Sequence, residues 1–447
     1  MDLYNTFAPF YSPWESVSVD ERQQKIAGWL SEYIEFSKLS APFYRERLQG
    51  FSWSRENAMA KIPLLTPDDL RTQLPPSSRA LLTTENDSYT VFQSGGTTGV
   101  PKVSLFSYDE MELINDCNAR GFFSVGLKAT DRVANLWSVG GLHMTFVHMN
   151  RVLQQYGCMS FPFSNQTPSD YVEQVARQFQ INCFTGPTSV VLTCLRAMYK
   201  NQVNFPKQSF PVNKVYFGGE HIYDADIREL MEDMGIGVIA APCYGTIDSW
   251  YIGYQCGYTP NGIFHAFDDH VFIEIIDEIT GEVCSNDSPG LLVVTTFRRK
   301  LTPMIRYRVG DRARWLKTPC SCGRTTPLFQ LLGRGDDILR IGYDSVDYAA
   351  IQKVIAPFKE LTGAVQMEKI RRGGKDGLVV RIETSLEPNF YDEISSRLEQ
   401  AILHDRSTLR DVINKQLVWP IHIEFVKQNS LPRNARTGKL IRVIDAL

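Results

Sequence analysis

The chain has few of the features that mark secreted, membrane-spanning or disulfide-stabilised proteins. Nine cysteines in 447 residues are too few, and odd in number, for a disulfide scaffold. No stretch approaches the ~20 consecutive apolar residues that a membrane helix needs. The first residues lack the basic segment and apolar core of a signal peptide. The sequence therefore predicts a reduced, cytoplasmic protein with no membrane partner.

The chain also lacks a strong excess of either sign of charge. The 47 basic and 50 acidic residues leave a net charge of −3 and form no long run of one sign. We therefore expect no broad basic surface and no nucleic-acid partner. What the chain does have is size and apolar content, because 43% hydrophobic residues over this length are enough for more than one core.

The order of predicted elements indicates an α/β fold with two domains. Residues 1–80 are predicted to be a helical lead-in. From Tyr89 onward, short apolar strands alternate with helical segments, which is typical of layered α/β domains. The last part has the mixed pattern of a small α+β domain. We predict a large domain at 1–335 and a small one at 336–447. The clearest predicted segments are a helix at 169–179 and strands at 215–220, 291–296, 378–382 and 421–426.

The most informative stretch is 93–102, Gln-Ser-Gly-Gly-Thr-Thr-Gly-Val-Pro-Lys. Its glycines allow the backbone to approach an anion closely, and successive N–H groups can form an anion-binding nest. Lys102 adds a positive charge. It is not a Walker loop, because Pro101 replaces the last glycine and no Ser or Thr follows the lysine. The residues after it alternate like a strand. The stretch predicts a polyphosphate-binding loop, and an ordinary surface loop is the alternative.

Five motifs in order along the chain resemble those of the acyl-adenylate-forming enzymes, which include acyl-CoA synthetases, luciferases and adenylation domains. They are the loop 94–102, then 244–248 (Tyr-Gly-Thr-Ile-Asp), 307–311 (Tyr-Arg-Val-Gly-Asp), 333–337 (Gly-Arg-Gly-Asp-Asp) and 436–442 (Arg-Thr-Gly-Lys-Leu-Ile-Arg). Residues 62–66, 140–143 and 297–308 are similar to the phenylacetate–CoA ligase branch. The resemblance implies a large adenylation domain and a small mobile domain that turns about Asp336.

The resemblance also implies a reaction and its residues. A carboxylate attacks the α-phosphate of ATP with Mg²⁺, pyrophosphate leaves, and CoA then takes the acyl group. Lys439 and Lys102 would be catalytic. Asp311 would accept hydrogen bonds from the ribose hydroxyls, and Arg334 would reach the ribose or a phosphate. The other nucleotide-binding residues would be Ser94, Gly95, Gly96, Thr97, Thr98, Gly99, Gly219, Glu220, Tyr244, Gly245 and Thr246.

The resemblance is less direct for the acid pocket. The acid, which we expect to be small and aromatic, would contact a pocket formed by Trp137, Gly141, His143, Phe184 and Phe217. Aromatic residues in such strands are also common in the core.

The sequence also departs from the family pattern. Ile247 and Asp248 replace the family's hydroxyl residue and glutamate, although the Asp248 carboxylate would still suit Mg²⁺. Residues 340–344 lack the expected Arg-Gly pair.

These departures leave the acyl acceptor open. Transfer to CoA is the first reading, and transfer to a carrier-protein thiol or to an amine is the alternative. A nucleotide-binding protein with degenerate catalysis is a third, against which the intact lysine loop argues, because binding alone has no use for Lys439. A homodimer is left open.

A second constellation contains residue types that bind zinc. Cys256 and His265 precede the Cys-x-Cys pair formed by Cys320 and Cys322. Three cysteine thiolates and one histidine imidazole are the ligand types, and four is the ligand number, of a closed tetrahedral structural zinc site. The ligase branch carries a similar set. The alternative is four unrelated residues, since free cysteine is often a small buried apolar side chain. We predict structural zinc.

Overall fold

The N-terminal part of the chain is helical, as predicted. The structure is a computed structural model that describes residues 12–53, 59–93, 102–205, 209–219, 222, 226–227, 229–278, 280–334, 338–358, 360–361, 364–384, 386–427, 430–432 and 440–445. The first helices are α1 (Val19–Ser40), α2 (Pro42–Arg47) and α3 (Pro67–Gln73). The Ser18 side chain caps α1, and Thr66 and Asp69 form a capping box at α3, which satisfies N–H groups that a helix leaves free.

A five-stranded parallel sheet forms one layer. Its strand order is β4–β3–β5–β6–β7, and helices connect successive strands as parallel pairing requires. The strands are β3 (Arg132–Asn135), β4 (Met159–Pro162), β5 (Cys183–Pro187), β6 (Lys214–Gly218) and β7 (Val238–Ala240). The helices are α4 (Tyr108–Ser124), α5 (Thr145–Tyr156), α6 (Ser169–Phe179) and α7 (Thr188–Lys200). A short π-helix, Glu229–Asp233, precedes β7.

A seven-stranded antiparallel sheet forms the second layer, and a hairpin stands beside it. The hairpin pairs β1 (Thr90–Gln93) with β2 (Val103–Phe106). The sheet order is β11–β12–β13–β14–β10–β9–β8. Its strands are β8 (Cys243–Thr246), β9 (Trp250–Tyr254), β10 (Ile263–Ala266), β11 (Phe272–Ile276), β12 (Gly290–Thr295), β13 (Tyr307–Leu316) and β14 (Leu328–Arg334).

The C-terminal part has its own mixed sheet in the order β19–β18–β17–β20. It follows a small hairpin of β15 (Ile338–Ile341) and β16 (Asp344–Asp347). The strands are β17 (Val365–Arg372), β18 (Lys375–Thr384), β19 (His422–Lys427) and β20 (Val443–Asp445), and the helices are α8 (Tyr348–Ile355), α9 (Tyr391–Asp405) and α10 (Ser407–Asn414). The predicted α/β fold is confirmed, and the domain boundary at 335 stays a prediction.

The N-terminal helices pack against residues that come much later in the chain. Tyr33 donates a hydrogen bond to the Arg299 carbonyl at 2.6 Å, and Tyr44 donates one to the Pro303 carbonyl at 3.0 Å. Both tyrosines are buried in the main core. None of the helices in the described ranges is both long and apolar enough to cross a bilayer.

Candidate active site

The predicted phosphate loop connects the two strands of a hairpin. Gln93 on β1 is paired with Val103 on β2, so Lys102 lies at the base of the hairpin loop. The strand expected after Lys102 is present as β2. Residues 94–101, which include the predicted phosphate-binding residues from Ser94 to Gly99, lie outside the described residues.

Lys102 belongs to a buried polar group of four residues, Lys102, Ser104, Asp248 and Tyr307, here called the Lys102 cluster. The Lys102 ammonium forms an ion pair with Asp248 Oδ2 and donates to Tyr307 Oη at 3.0 Å. Tyr307 Oη donates to the same Oδ2 at 2.7 Å, and Ser104 Oγ donates to Oδ1 at 2.8 Å. Both carboxylate oxygens therefore accept hydrogen bonds from the protein.

The Lys102 cluster keeps Asp248 ionised although the side chain is almost fully buried. Burial alone would raise the pKa of the Asp248 carboxyl. The charge of Lys102 and the hydrogen bonds from it and the two hydroxyls outweigh this effect and hold the pKa below its usual value. The side chains of Lys102 and Asp248 are 17% and 3% exposed, so the pair is shielded from water mainly on the aspartate side.

A second tyrosine–aspartate contact joins two of the predicted nucleotide residues. Tyr244 Oη donates to Asp311 Oδ2 at 2.6 Å. The Tyr244 ring packs against Phe264 and Phe329, with ring centroids 5.6 and 6.0 Å away. Asp311 is paired with Arg334 across β13 and β14, although only the backbone of Arg334 is described. The arrangement brings Tyr244, Asp311 and the Arg334 backbone together.

The two contacts are reciprocal. Segments 244–248 and 307–311 each begin with Tyr and end with Asp, and the tyrosine of each donates to the aspartate of the other. The segments therefore lie side by side in opposite directions. Because β8 and β13 are four strands apart in the sheet order, a flat sheet would separate them by about 19 Å at ~4.8 Å per strand. The sheet is therefore strongly curved at this site.

Sequence reasoning assigned no role to Tyr307 or Ser104. The repeated Tyr-x-x-x-Asp spacing at 244–248 and 307–311 was a usable pattern for Tyr307. Ser104 lies on β2 two residues after Lys102 and is fully buried. Nothing in the sequence distinguishes it from an ordinary strand serine.

The residues predicted for the acid pocket lie on the parallel strands β5 and β6 and in the segment after β3. Trp137 donates to Thr185 Oγ1 at 3.1 Å, and a side chain at Gly218 would lie 2.9 Å from its ring. His143 is half-buried, and burial lowers its pKa. Phe184 and Phe217 are part of the main core. Their role as pocket residues stays a prediction.

Some of the remaining predicted residues are described and others lie outside the described residues. Gly219, from the predicted nucleotide site, has φ of +75°, and Gly141, from the predicted acid pocket, has φ of +56°, which both favour glycine. A side chain at Gly245 would lie 2.3 Å from a backbone carbonyl, and Thr246 Oγ1 accepts from the backbone N–H of Ser249 at 3.1 Å. The residues outside the described ranges are Glu220, Lys439 and the Asp336 hinge.

The four predicted zinc ligands are brought together. One ligand atom from each of Cys256, His265, Cys320 and Cys322 lies within 4.8 Å of every other. Cys256 Sγ and Cys320 Sγ are 3.6 Å apart, and Cys322 Sγ is 3.4 Å from His265 Nε2. A tetrahedral zinc ion with Zn–S bonds of ~2.3 Å sets its sulfur atoms about 3.8 Å apart, so the cluster fits zinc. We call it the cysteine–histidine cluster.

The surroundings of the cysteine–histidine cluster also suit a metal. Burial lowers the pKa of His265 to about 4, which favours the neutral imidazole that metals bind. Its Nδ1 lies 2.9 Å from Thr326 Oγ1, a contact that orients the ring. Arg324, beside the cysteines, donates to buried Glu15 Oε2 at 2.6 Å. Arg324 therefore joins the segment that carries Cys320 and Cys322 to the N-terminal part of the chain.

A charged group connects the C-terminal sheet to the rest of the chain. We call Arg196, Asp226, Glu229 and Arg371 the interface cluster. Arg371 on β17 forms an ion pair with Asp226, whose side chain is 2% exposed. Arg196 on α7 donates to Asp226 at 2.9 Å and to Glu229 at 2.5 Å. The two parts of the chain therefore share a buried carboxylate.

Comparisons with known proteins agree on one family. No family model matches the chain. A phenylacetate–coenzyme A ligase of Aromatoleum evansii is 27% identical over 97% of this chain and 96% of its own length. That of Pseudomonas putida is 25% identical over 86% and 87%.

The solved structures of a 2-hydroxyisobutyryl-CoA ligase share the fold at about one-fifth sequence identity. In its thioesterification state, the match has a TM-score of 0.77 at 20% identity and covers 98% of this chain and 94% of that one. In its postadenylation state, the TM-score is 0.64 at 21% identity, with 99% and 94% covered. The relatives and the fold together support an enzyme that is similar to the acyl-adenylate-forming superfamily, and within it to the phenylacetate–CoA ligases.

Proposed function

We propose that the chain activates a small aromatic carboxylic acid with ATP and Mg²⁺, and then transfers the acyl group to CoA. A carboxylate oxygen forms a bond to the α-phosphorus, and the bond from that phosphorus to pyrophosphate breaks. The CoA thiolate then attacks the acyl carbonyl and AMP leaves. The names of the curated relatives, which are phenylacetate–CoA ligases, support the acid class and the acceptor.

The reciprocal tyrosine–aspartate contacts carry the proposal. They hold the Asp311 carboxylate, a suitable acceptor for ribose hydroxyls, at one end of a pair of aligned segments. The Lys102 ammonium is held at the other end. Four residues of extended strand span about 13 Å, on the order of the distance from the ribose hydroxyls of ATP to its terminal phosphates.

The proposed chemistry needs cations because both reactants are anions. Lys102 would neutralise charge on the β- and γ-phosphates, and Lys439 would bridge the carboxylate and the α-phosphate as charge develops. Mg²⁺ supplies further charge neutralisation when bound with ATP. Fixed cations that are already in place cost no reorganisation during the reaction.

The arrangement of the C-terminal part favours CoA as the acceptor. The chain superposes better on the thioesterification state of the 2-hydroxyisobutyryl-CoA ligase than on its postadenylation state. One observation favours an amine or a carrier-protein thiol instead. Residues 340–344 lack the Arg-Gly pair that the resemblance leads us to expect there, and Ile341 among them is fully buried in the core, so its side chain offers no contact to a CoA phosphate.

The experiment is pyrophosphate release with ATP and Mg²⁺ across aryl and short alkyl carboxylic acids, with and without CoA. We expect release that depends on an aryl acid, and a thioester when CoA is present. Acid-dependent release without thioester, but with amide after addition of amines, would identify the alternative acceptor. ATP binding without release for any acid would contradict an adenylating enzyme.

We further propose that the cysteine–histidine cluster holds one structural zinc ion. Replacing Cys320 with serine is expected to remove the metal and to lower the melting temperature by on the order of 5 °C, because metal binding contributes directly to folding. Metal content by mass spectrometry and thermal melting check this. Cys284→Ser is the matched control, since Cys284 is a half-buried free cysteine outside the cluster. Purified protein without metal, and equal melting of the Cys320 variant, would refute the zinc proposal.

A further inference from the structure

The Lys102 cluster leaves little room for a metal ion at Asp248. Three protein donors occupy its two oxygens, and a carboxylate has about four lone-pair positions. The side chain is 3% exposed. Mg²⁺ demands near-octahedral geometry and usually keeps several of its waters. Binding at Asp248 would therefore require the surrounding side chains to separate.

Charge argues in the same direction. Asp248 Oδ2 already contacts the Lys102 ammonium, so Mg²⁺ on that oxygen would place two cations side by side. A third cation, the fully buried Arg299, also interacts with the Asp248 charge. Arg299 donates to the Leu105 carbonyl on β2 at 2.8 Å. The negative charge of Asp248 is thus balanced before any nucleotide or metal arrives.

We propose that Asp248 acts on the nucleotide through Lys102 and not as a magnesium ligand. Asp248, Tyr307 and Ser104 are positioning residues that fix the ammonium at the base of the β1–β2 hairpin. Mg²⁺ then enters on the phosphates of ATP. This inference rests on the proposed function, because it assumes that ATP is the ligand.

Each positioning residue has a distinct part. Tyr307 Oη accepts from Lys102 at 3.0 Å and donates to Asp248 at 2.7 Å, so it closes a triangle that fixes the ammonium in two directions. Ser104 Oγ holds the other carboxylate oxygen at 2.8 Å and stops the carboxylate from rotating. A lysine on a flexible stem gains most from such support, since its side chain otherwise samples many rotamers.

The test is a double-mutant cycle that uses binding as well as rate. ATP affinity is measured by calorimetry with EDTA and with Mg²⁺ for Asp248→Asn, Lys102→Ala and the double variant. We expect the ratio of the two affinities to change less than about twofold in Asp248→Asn. We expect its pyrophosphate release, as kcat/KM, to fall about tenfold or more, because a charge-assisted hydrogen bond is lost. In the Lys102→Ala background, Asp248→Asn should have almost no further effect.

Tyr307→Phe should lower kcat/KM for pyrophosphate release less than Asp248→Asn does. In the Lys102→Ala background, it should likewise have almost no further effect. The matched control is Asp131→Asn. Asp131 forms a 2.7 Å ion pair with Lys214, and the two side chains are 5% and 12% exposed. Asp131→Asn therefore disrupts a similar buried ion pair elsewhere in the chain and should leave the kinetics of pyrophosphate release unchanged.

Two results would overturn the inference alone. One is a selective loss of the Mg²⁺-dependent part of ATP affinity in Asp248→Asn. The other is a double variant whose loss in kcat/KM equals the product of the losses in the two single variants. Absence of ATP binding by the unaltered chain would overturn the proposed function together with the inference.

Discussion

Replacing Lys439 with alanine is expected to lower acid-dependent pyrophosphate release by about a hundredfold or more and to leave ATP affinity nearly unchanged. Removing one fixed donor aimed at developing charge typically costs a factor of about 10² to 10³ in rate. In the proposed reaction, Lys439 meets the carboxylate and the α-phosphate only as their bond forms. The loss should therefore appear in kcat and not in ATP binding.

The described residues on either side of 433–439 contact each other and the C-terminal sheet. Ile441 donates its N–H to the Pro432 carbonyl at 3.1 Å. Gln366 on β17 donates to the Ile441 carbonyl at 2.6 Å. β20, which follows, is parallel to β17. The described residues that flank 433–439 are therefore attached to this sheet.

Pre-steady-state pyrophosphate release and calorimetric ATP binding measure the effect of Lys439→Ala. Lys317→Ala serves as the control, because its side chain is 68% exposed and lies 3.4 Å from Asp287, away from the site. Equal release by the Lys439 variant and the unaltered chain would remove Lys439 from the mechanism.

Replacing Arg371 with glutamate is expected to slow thioester formation at least tenfold and to leave formation of the acyl-adenylate largely intact. Arg371 connects the C-terminal sheet to buried Asp226, and the chain matches the thioesterification state of the 2-hydroxyisobutyryl-CoA ligase with a higher TM-score than the postadenylation state. A glutamate there would face the Asp226 carboxylate. Asp226 would keep Arg196 as a partner, but the added carboxylate would repel it, and about 1.4 kcal/mol of repulsion is already a factor of ten.

Single-turnover assays separate the two steps. One follows pyrophosphate without CoA, and the other follows thioester from preformed acyl-adenylate. Arg381→Glu is the matched control, since Arg381 is 25% exposed and pairs with Glu368 and Glu424 inside the C-terminal sheet, whereas Arg371 is 20% exposed. Equal slowing of both steps by Arg371→Glu would mean that the interface cluster does not favour one arrangement.

Local sequence patterns were sufficient to predict individual helices and strands. The predicted helix at 169–179 is α6, Ser169–Phe179, with the same bounds. The predicted strand at 291–296 is β12, Gly290–Thr295. Both have strong periodicity or a continuous apolar run, and neighbouring residues carry that information. The α/β fold followed from the alternation of such elements.

Contacts between distant segments could not be obtained in this way. The motifs around Tyr244 and Asp311 each indicated a nucleotide site, but their direct contact depends on the curvature of a seven-stranded sheet. The pairing of Arg371 with Asp226 depends on how the C-terminal sheet is placed against the segment between β6 and β7. Phe184 shows a related limit, because an aromatic residue on an apolar strand has the same pattern whether it lines a pocket or fills the core.

The packing of the first helices has a consequence for synthesis of the chain on the ribosome. Trp14, Tyr33 and Tyr44 have hydrogen-bond partners 254, 266 and 259 residues later. At about 5–20 residues per second, these partners emerge roughly 10 to 50 s after the helices. During that time, the apolar face of α1 has not yet met the residues against which it packs. A nascent chain stopped before β12 would thus be a natural client for chaperones that shield exposed apolar helices.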